Sequence, residues 1–310
     1  MSQYASERAR ESAEIRRDGR KISTHVCLPL WEGNAFLEPQ YTRVLNAIVS
    51  HKIPPTCSVI LHGSVLWGDR TNLRVGLPVS DVDVLVVGNS LSDLSAAAVV
   101  LKSIAQANVK SSVPLFKLSA KFRTTSEIVG CISANELNAL LHGRVLVGPT
   151  SFDVLRPNQT WFSHQAQLAV TTRVIYVAEQ QKIIASSKYK GVLARYLAAR
   201  LVLEIATVGL LAKGLVGLSY TDRVVSFLTH YNRTVPTHLR QDLRSVLVDA
   251  LCIKRDPEAH QFIDTSTAAS LLVKYCRILN LVNTVDFGVE DFWRNLRPLD
   301  IRDQMLWKSL

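Results

Sequence analysis

Residues 61–87, LHGSVLWGDRTNLRVGLPVSDVDVLVV, decide the fold of this chain. An apolar run leads into Gly63 and Ser64, and a second apolar run contains Asp81 and Asp83. Side chains two residues apart on a β-strand point to the same face, so the two aspartates are predicted to project side by side. Adjacent carboxylates repel each other and are costly to desolvate unless a cation lies between them. The pattern therefore predicts a cation site, and Mg²⁺ fits because it prefers carboxylate oxygens and leaves positions for water and phosphates.

The Gly-Ser pair predicts an anion-binding turn next to these carboxylates. Gly63 permits close approach of the backbone, and Ser64 can cap a short helix that begins at Val65, which leaves free N–H groups that favour an anion. The alternative is an edge strand with two solvated aspartates after an ordinary turn. The Gly-Ser turn, the strong strands on both sides and a further Gly-Asp pair at residues 68–69 favour the site.

Composition favours a folded, basic protein. A chain of 310 residues with 47% hydrophobic residues is long enough for two domains of ordinary size or one large one. The formal net charge of +10 favours RNA, DNA or a nucleoside triphosphate as partner, although a basic surface can also serve solubility alone.

Five widely spaced cysteines form no zinc or disulfide pattern, which favours a reducing cytoplasmic environment. The polar, charged residues 1–21 do not have the pattern of a signal peptide.

The apolar segment at residues 192–218 is predicted to be a buried core helix and not a membrane span. Arg195, Arg200, Glu204 and Lys213 interrupt it, whereas a bilayer span needs about 20 consecutive apolar residues. We therefore expect no membrane partner.

Three short motifs together resemble the signature of the DNA polymerase β-like nucleotidyltransferase superfamily. They are Gly-Ser at residues 63–64, Gly-Asp at residues 68–69 and Ser-Asp-Val-Asp at residues 80–83. HGRVLVGP at residues 142–149 resembles the element that closes the catalytic domain in small bacterial members, including aminoglycoside nucleotidyltransferases. GLLAKGLVGLSYTDRV at residues 209–224 resembles the same region of their helical domain.

The resemblance implies an α/β (α+β) fold, with a mixed sheet, flanking helices and a C-terminal α-helical domain. We expect a charged N-terminal arm at residues 1–23, a nucleotidyltransferase catalytic domain at 24–150 and a helical domain at 151–310. In the first part, apolar runs predict strands at 58–62 and 115–122. In the second part, apolar spacing predicts helices at 163–184, 189–213, 221–231, 236–253 and 268–281.

The resemblance also implies a reaction, the transfer of a nucleoside monophosphate from a nucleoside triphosphate such as ATP to a hydroxyl or phosphate acceptor. Asp81 and Asp83 are expected to act in catalysis and to hold Mg²⁺ or Mn²⁺, and the turn at residues 63–64 is expected to bind phosphates. Related enzymes hold the β- and γ-phosphates with basic groups at the start of the first long helix, which here offers Lys188 and Lys190. A solvated basic helix end is the alternative for these lysines.

Members of this superfamily usually carry a third carboxylate on the strand that follows the Asp-x-Asp strand. Here residues 113–122 read VPLFKLSAKF and contain no acid. The third catalytic carboxylate is then expected to come from elsewhere: Glu127 is nearest along the chain, and Glu179 or Glu204 could serve as general base. Two alternatives are a single metal assisted by a lysine of this strand, Lys117 or Lys121, and loss of catalysis with nucleotide or RNA binding retained.

The acceptor is open between two classes. The closing element and the first long helix favour an aminoglycoside-type small molecule, whereas the net charge favours RNA, tRNA for instance, or a protein as in toxin-type members. An RNA footprint is expected to comprise Arg16, Arg17, Arg20, Lys117, Lys121, Lys188, Lys190 and Arg195.

Overall fold

The computed structural model describes residues 39–71, 73–74, 77–109, 113, 115–130, 132–152, 157–231, 235–258, 261–281, 302–303 and 305. The arm predicted at residues 1–23, with its arginines, lies outside these ranges.

The first part of the chain forms a four-stranded mixed sheet. In spatial order its strands are β3-β2-β1-β4; β1 runs antiparallel to β2 and β4, whereas β2 and β3 are parallel. The strands are β1 (Ser58–His62), β2 (Val82–Gly88), β3 (Leu118–Thr124) and β4 (Arg144–Val147). The flanking helices are α1 (Pro39–Ser50), α2 (Gly63–Trp67), α3 (Leu91–Asn108), α4 (Thr125–Gly130) and α5 (Ala134–His142). A parallel pair needs a crossover connection, and α3 supplies it between β2 and β3.

The sheet is apolar on both faces because β2 alternates between two cores. Val84 and Val86 pack in the cluster that contains residues of α1 and α3, while Leu85 and Val87 pack in the cluster that contains residues of α4 and α5. The mixed α/β class expected from the sequence is confirmed. The third strand begins at Leu118 and not at residue 115, because the apolar residues before it are buried as loop residues.

The second part is helical and is organised around one buried helix. Its helices are α6 (Gln159–Ile184), α7 (Lys190–Ala212), α8 (Tyr220–Tyr231), α9 (Thr237–Arg255) and α10 (Thr265–Ile278). The other four pack on α7, which buries most of its residues from Leu193 to Leu211. This confirms the buried core helix predicted from the sequence. None of the helices in the described ranges combines the length and apolarity needed to cross a bilayer.

Two loops of the sheet region belong to the helical core. Leu73 and Val79, from the loop before β2, and Leu115, from the loop before β3, are buried in the same apolar cluster as α7. The starts of β2 and β3 therefore face the helices, and the candidate site lies between them.

Candidate functional site

A cleft of about 230 Å³ lies between the start of β2 and the helical part. On the sheet side it is lined by Gly63, Ser64, Asp81, Asp83, Lys117 and Ser119, and on the helical side by Arg173, Tyr176, Tyr196, Arg200, Tyr220, Arg223 and Lys254. The structure thus brings together the Gly-Ser turn and the aspartate pair that the sequence singles out. We call the two sides of this cleft the sheet wall and the helical wall.

Strand alternation places both carboxylates on the sheet wall. Asp83 lies in β2 opposite His62, Asp81 directly precedes the strand, and the side chain of Val82 between them is buried in the opposite direction, in the core with α1 and α3. Gly63 has φ +76°, and a Cβ atom there would lie 2.6 Å from Asp83 Oδ2. Glycine is required at this position both by the left-handed backbone and by the close approach of the carboxylate.

Burial raises the pKa of Asp81 to about 7, and repulsion from Asp83 acts in the same direction. The charges of Lys117 and Arg200 oppose this shift but do not cancel it. Asp81 Oδ1 is buried without a hydrogen-bond partner. Among the described residues, neither aspartate forms an ion pair with a basic side chain.

The donor set fits a hard divalent cation only in part. No group of three or more His, Cys, Asp or Glu side chains is placed to hold a metal within the described ranges. Asp81 and Asp83 offer carboxylate oxygens, one of which is buried and has no partner, and this suits Mg²⁺ if water and substrate phosphates complete its coordination. The third acid of the cleft, Asp69, is engaged elsewhere, because its carboxylate accepts hydrogen bonds from the backbone N–H and hydroxyl of Thr221 at 3.2 and 3.0 Å.

The helical wall is cationic and aromatic. Arg200 donates to the hydroxyl groups of Tyr176 and Tyr196 at 3.2 and 3.5 Å, and the guanidinium of Arg173 lies 3.4 Å from the hydroxyl of Tyr220. Of the acids nearby, Glu204 accepts a bond from Arg173 at 2.9 Å. Among the described residues no carboxylate forms an ion pair with Arg200, although the charge of Asp81 acts on it across the cleft, so this wall favours an anion.

The pKa of Tyr220 shows the effect of the positive charges on this wall. Two cations lie over the ring of Tyr220, with Arg223 Cζ 5.3 Å and Lys254 Nζ 5.0 Å from the centroid. Burial alone raises the pKa of a phenol, but the charges of Arg173 and Arg200 outweigh this effect and lower the pKa of Tyr220 to about 8. A phenol that ionises this easily indicates a site suited to negative charge.

Glu127, which is predicted to supply the third catalytic carboxylate, is not among the residues that line the cleft. Asp83 pairs with Ser119 at the start of β3, whereas Glu127 follows the far end of that strand. Its carboxylate binds Arg302 and accepts a bond from the backbone N–H of Thr124 at 2.7 Å. Burial raises the pKa of Glu127, but these bonds outweigh it and hold the pKa below its usual value.

Lys188 and Lys190 also do not line the cleft. They are exposed at the N-terminal end of α7, and Lys188 Nζ lies over the ring of Tyr189. The basic residue that α7 contributes to the cleft is Arg200, which lies ten residues after the helix begins. At about 1.5 Å per residue, this separation is about 15 Å along the helix axis. The phosphate role predicted for the two lysines stays a prediction, and their position outside the cleft does not support it.

The remaining sequence candidates divide between the cleft and other partners. Lys117 and Ser119 line the cleft, while Lys121 lies 3.7 Å from Asp303. Glu179 is exposed on α6 and lies outside the cleft. Glu204 pairs with Arg173, so it is not a free base.

Sequence reasoning missed the helical wall. On α7, Glu204 pairs with Arg173 of α6 and not with Arg200 four residues away, whereas Arg200 faces tyrosines. The sequence feature that could have predicted this wall is the pair Tyr196 and Arg200. They lie in a stretch, residues 193–211, whose other residues are apolar except Arg195, Glu204 and Thr207. Buried charges in such a helix need partners or ligands.

A larger cavity, of about 910 Å³, lies between α8 and α9. It is lined mainly by apolar residues, with Arg240 and Arg244 at its side and no acid among its described lining residues. We take the smaller cleft as the candidate site because, of these two cavities in the described part of the chain, it is the one that combines carboxylates, cations and perturbed pKa values.

Comparison with models of known protein families gives no match for this chain, and comparison with curated protein sequences gives none either.

Proposed function

We propose that this chain is a metal-dependent nucleotidyltransferase that binds a nucleoside triphosphate in the cleft and moves its nucleoside monophosphate to an acceptor. The observation that carries the proposal is the aspartate pair, Asp81 and Asp83, which has no ion pair among the described residues and faces a wall of arginines. Phosphoryl transfer needs carboxylates that bind a metal and, on the other side of the site, cations that bind phosphates.

Asp81 and Asp83 would hold Mg²⁺ or Mn²⁺ on the sheet wall. When bound, the ion neutralises charge on the phosphoryl oxygens and orients the phosphates. Gly63 keeps space free beside Asp83 Oδ2, and Ser64 follows at the start of α2 as a hydroxyl partner for a phosphate oxygen.

The helical wall balances the charge of the phosphates. Arg173, Arg200 and Arg223 converge on the cleft from α6, α7 and α8. At about 230 Å³ the cleft is smaller than a usual small-molecule site of about 300–1,000 Å³. It therefore suits the triphosphate, with the sugar and base extending towards its mouth.

A second function, nucleotide binding without transfer, is favoured by the start of β3. Ser119 lies opposite Asp83 where the superfamily usually places an acid, and the exposed Lys117 projects a positive charge towards Asp81. A lysine near a metal site repels the ion, yet it also attracts phosphate. The two functions share the nucleotide and differ in the chemical step.

The positive helical wall also bears on the acceptor. Arg173 is paired with Glu204, but Arg200 and Arg223 repel a polycationic acceptor such as an aminoglycoside and attract a polyanion. We therefore propose an RNA end as the acceptor, and the small-molecule acceptor becomes an outcome of the test.

The test is incubation of the purified chain with each α-³²P-labelled nucleoside triphosphate, Mg²⁺ or Mn²⁺, and total RNA, total protein or aminoglycosides. Label should enter RNA, and Asp81→Asn with Asp83→Asn should lower the rate by about 10³-fold or more, since two metal ligands are lost. Glu127→Gln is the matched control and should keep the rate of the wild type. Nucleotide binding without incorporation into any acceptor would establish the binding function, and absence of nucleotide binding would overturn both.

A further inference from the structure

The loop at residues 68–81 brings Asp81 to the cleft, and one of the residues by which the helical part holds this loop is buried. Lys254 is the penultimate residue of α9 and is 1% exposed. Its ammonium donates a hydrogen bond to the backbone carbonyl of Asp69, and its own carbonyl accepts one from the hydroxyl of Thr71. Lys254 is therefore joined to the start of the loop by two hydrogen bonds, one from its side chain and one to its backbone carbonyl.

The same loop closes on itself directly before Asp81. The backbone N–H of Thr71 donates to Ser80 Oγ at 2.9 Å, and the Thr71 carbonyl accepts bonds from the N–H groups of Val79 and Ser80 at 2.9 and 3.3 Å. The hydroxyl of Tyr41 donates to the carbonyl of Ser80 at 3.1 Å. A continuous set of hydrogen bonds thus joins Lys254, through Thr71, to the residue that precedes Asp81.

We propose that Lys254 is a positioning residue that fixes the Asp81 carboxylate beside Asp83. This inference rests on the proposed metal-dependent function. The N-terminal end of the loop is held by α9 together with Thr221 of α8, so the packing of α9 against the loop helps to place the carboxylate pair. Removing a group that orients a metal ligand without contacting the metal itself typically lowers metal affinity by about 10- to 100-fold.

A direct role for Lys254 in binding phosphate is the competing explanation, because it lines the cleft. Its ammonium, however, is committed to the carbonyl of Asp69 and is nearly inaccessible to solvent. Burial also lowers the pKa of Lys254 to about 8, which weakens it as a permanent phosphate-binding charge. The two roles separate in kinetics: positioning acts on kcat and metal affinity, and a phosphate contact acts on the KM of the nucleotide.

The experiment compares Lys254→Met and Thr71→Val with the wild type. Arg74→Ala is the matched control, because it removes an exposed ion pair of the same loop with Asp256 near the same end of α9. Mn²⁺ affinity is measured by electron paramagnetic resonance, and hydrogen exchange is measured on the peptide that covers residues 69–80. Circular dichroism checks folding, and Thr71→Val stands in if Lys254→Met does not fold.

Both variants should weaken Mn²⁺ binding by about 10-fold or more, speed exchange in this peptide and lower kcat with the KM of the nucleotide unchanged. Arg74→Ala should leave all of these at wild-type values. The double variant Asp81→Asn with Asp83→Asn should abolish Mn²⁺ binding. If it does so while Lys254→Met binds Mn²⁺ as the wild type does, this inference falls and the proposed function stands. The same holds if Lys254→Met changes only the KM of the nucleotide. A wild type that binds no Mn²⁺ overturns the metal-dependent function and the inference with it.

Discussion

The fold treats two groups of carboxylates near the sheet in opposite ways. Towards the far end of β3, Glu136 and Asp303 share the buried guanidinium of Arg123 at 2.5 and 2.8 Å. At the start of β2, Asp81 and Asp83 share no guanidinium within the described residues, although Asp81 Oδ1 is buried. The first group is neutralised by the chain itself, and the second is not.

This difference separates structural from functional charge. A buried carboxylate that is paired and hydrogen-bonded is satisfied in the folded state and needs nothing from solution. A pair of like charges without a counterion costs stability, and such groups persist where a ligand completes them. Substitutions that test this comparison remove the guanidinium of the first group, remove a carboxylate or the open space of the second, or remove a partly exposed ion pair that belongs to neither group.

The largest effect is expected for Arg123→Met. Both Glu136 and Asp303 lose their guanidinium, and an unpaired buried charge typically costs about 3–5 kcal/mol in the free energy of unfolding. Urea denaturation at pH 7 measures the loss. If the variant unfolds at the wild-type urea concentration, the chain does not need this ion pair and the contrast between the two groups disappears.

Asp81→Asn is expected to act in the opposite direction and to stabilise the metal-free protein. The pKa of Asp81 is raised from its ordinary 3.8 to about 7, so its contribution to stability is full below about pH 4 and is lost as the pH rises through 7. Asparagine does not titrate, so the gain of the variant over the wild type should grow between pH 4 and 7. It should then level off at about 4 kcal/mol, from a shift of about 3 pKa units at about 1.4 kcal/mol each. Urea unfolding of both proteins from pH 4 to 8 measures this gain, and an equal gain at every pH would contradict it.

Gly63→Ala and Gly68→Ala form a matched pair that isolates the space beside Asp83. Both glycines have a positive φ, 76° and 75°, so alanine strains the backbone of each by about 1–2 kcal/mol. Only at Gly63 does the added Cβ meet a neighbour, Asp83 Oδ2 at 2.6 Å, while nothing lies within 4 Å at Gly68. Thermal unfolding should therefore show a larger loss for Gly63→Ala, and only this variant should weaken Mn²⁺ binding. Equal losses in both variants would show that Asp83 can move aside.

The smallest effect is expected for Glu127→Gln. Its ion pair with Arg302 is partly exposed, with side chains 26% and 20% accessible, and such pairs contribute about 1 kcal/mol or less. Because its pKa is lowered, the contribution is present above about pH 4.5 and is lost as the pH falls through the folded value. Urea unfolding at pH 7 and pH 3 measures it, and nucleotide transfer should stay at the wild-type rate. A large loss of transfer would return Glu127 to the catalytic site.

Most of the secondary structure follows from the sequence because its apolar spacing is regular. The helices predicted after residue 160 match α6 to α10, and the long apolar segment is a buried helix, as the four charged residues within it indicate. Prediction was less accurate before β3. Leu115 and Phe116 are apolar because they are buried as loop residues, and burial alone does not distinguish a loop from a strand.

The sequence by itself determined the sheet wall of the site. Asp81 and Asp83 face the same way because side chains alternate along a strand, and Gly63 stands where only glycine fits. These relations are local: they depend on spacings of a few residues and on the geometry of one turn and one strand.

The tertiary structure alone decided which charges meet across the molecule. Arg302 reaches Glu127 from 175 residues away along the chain, and Arg173, Arg200 and Arg223 converge on the cleft from three different helices. Helical periodicity shows which face of a helix is buried but not which other element covers it. The pairing of charges is therefore fixed by how the helices pack around α7, a property of the whole chain that no single segment contains.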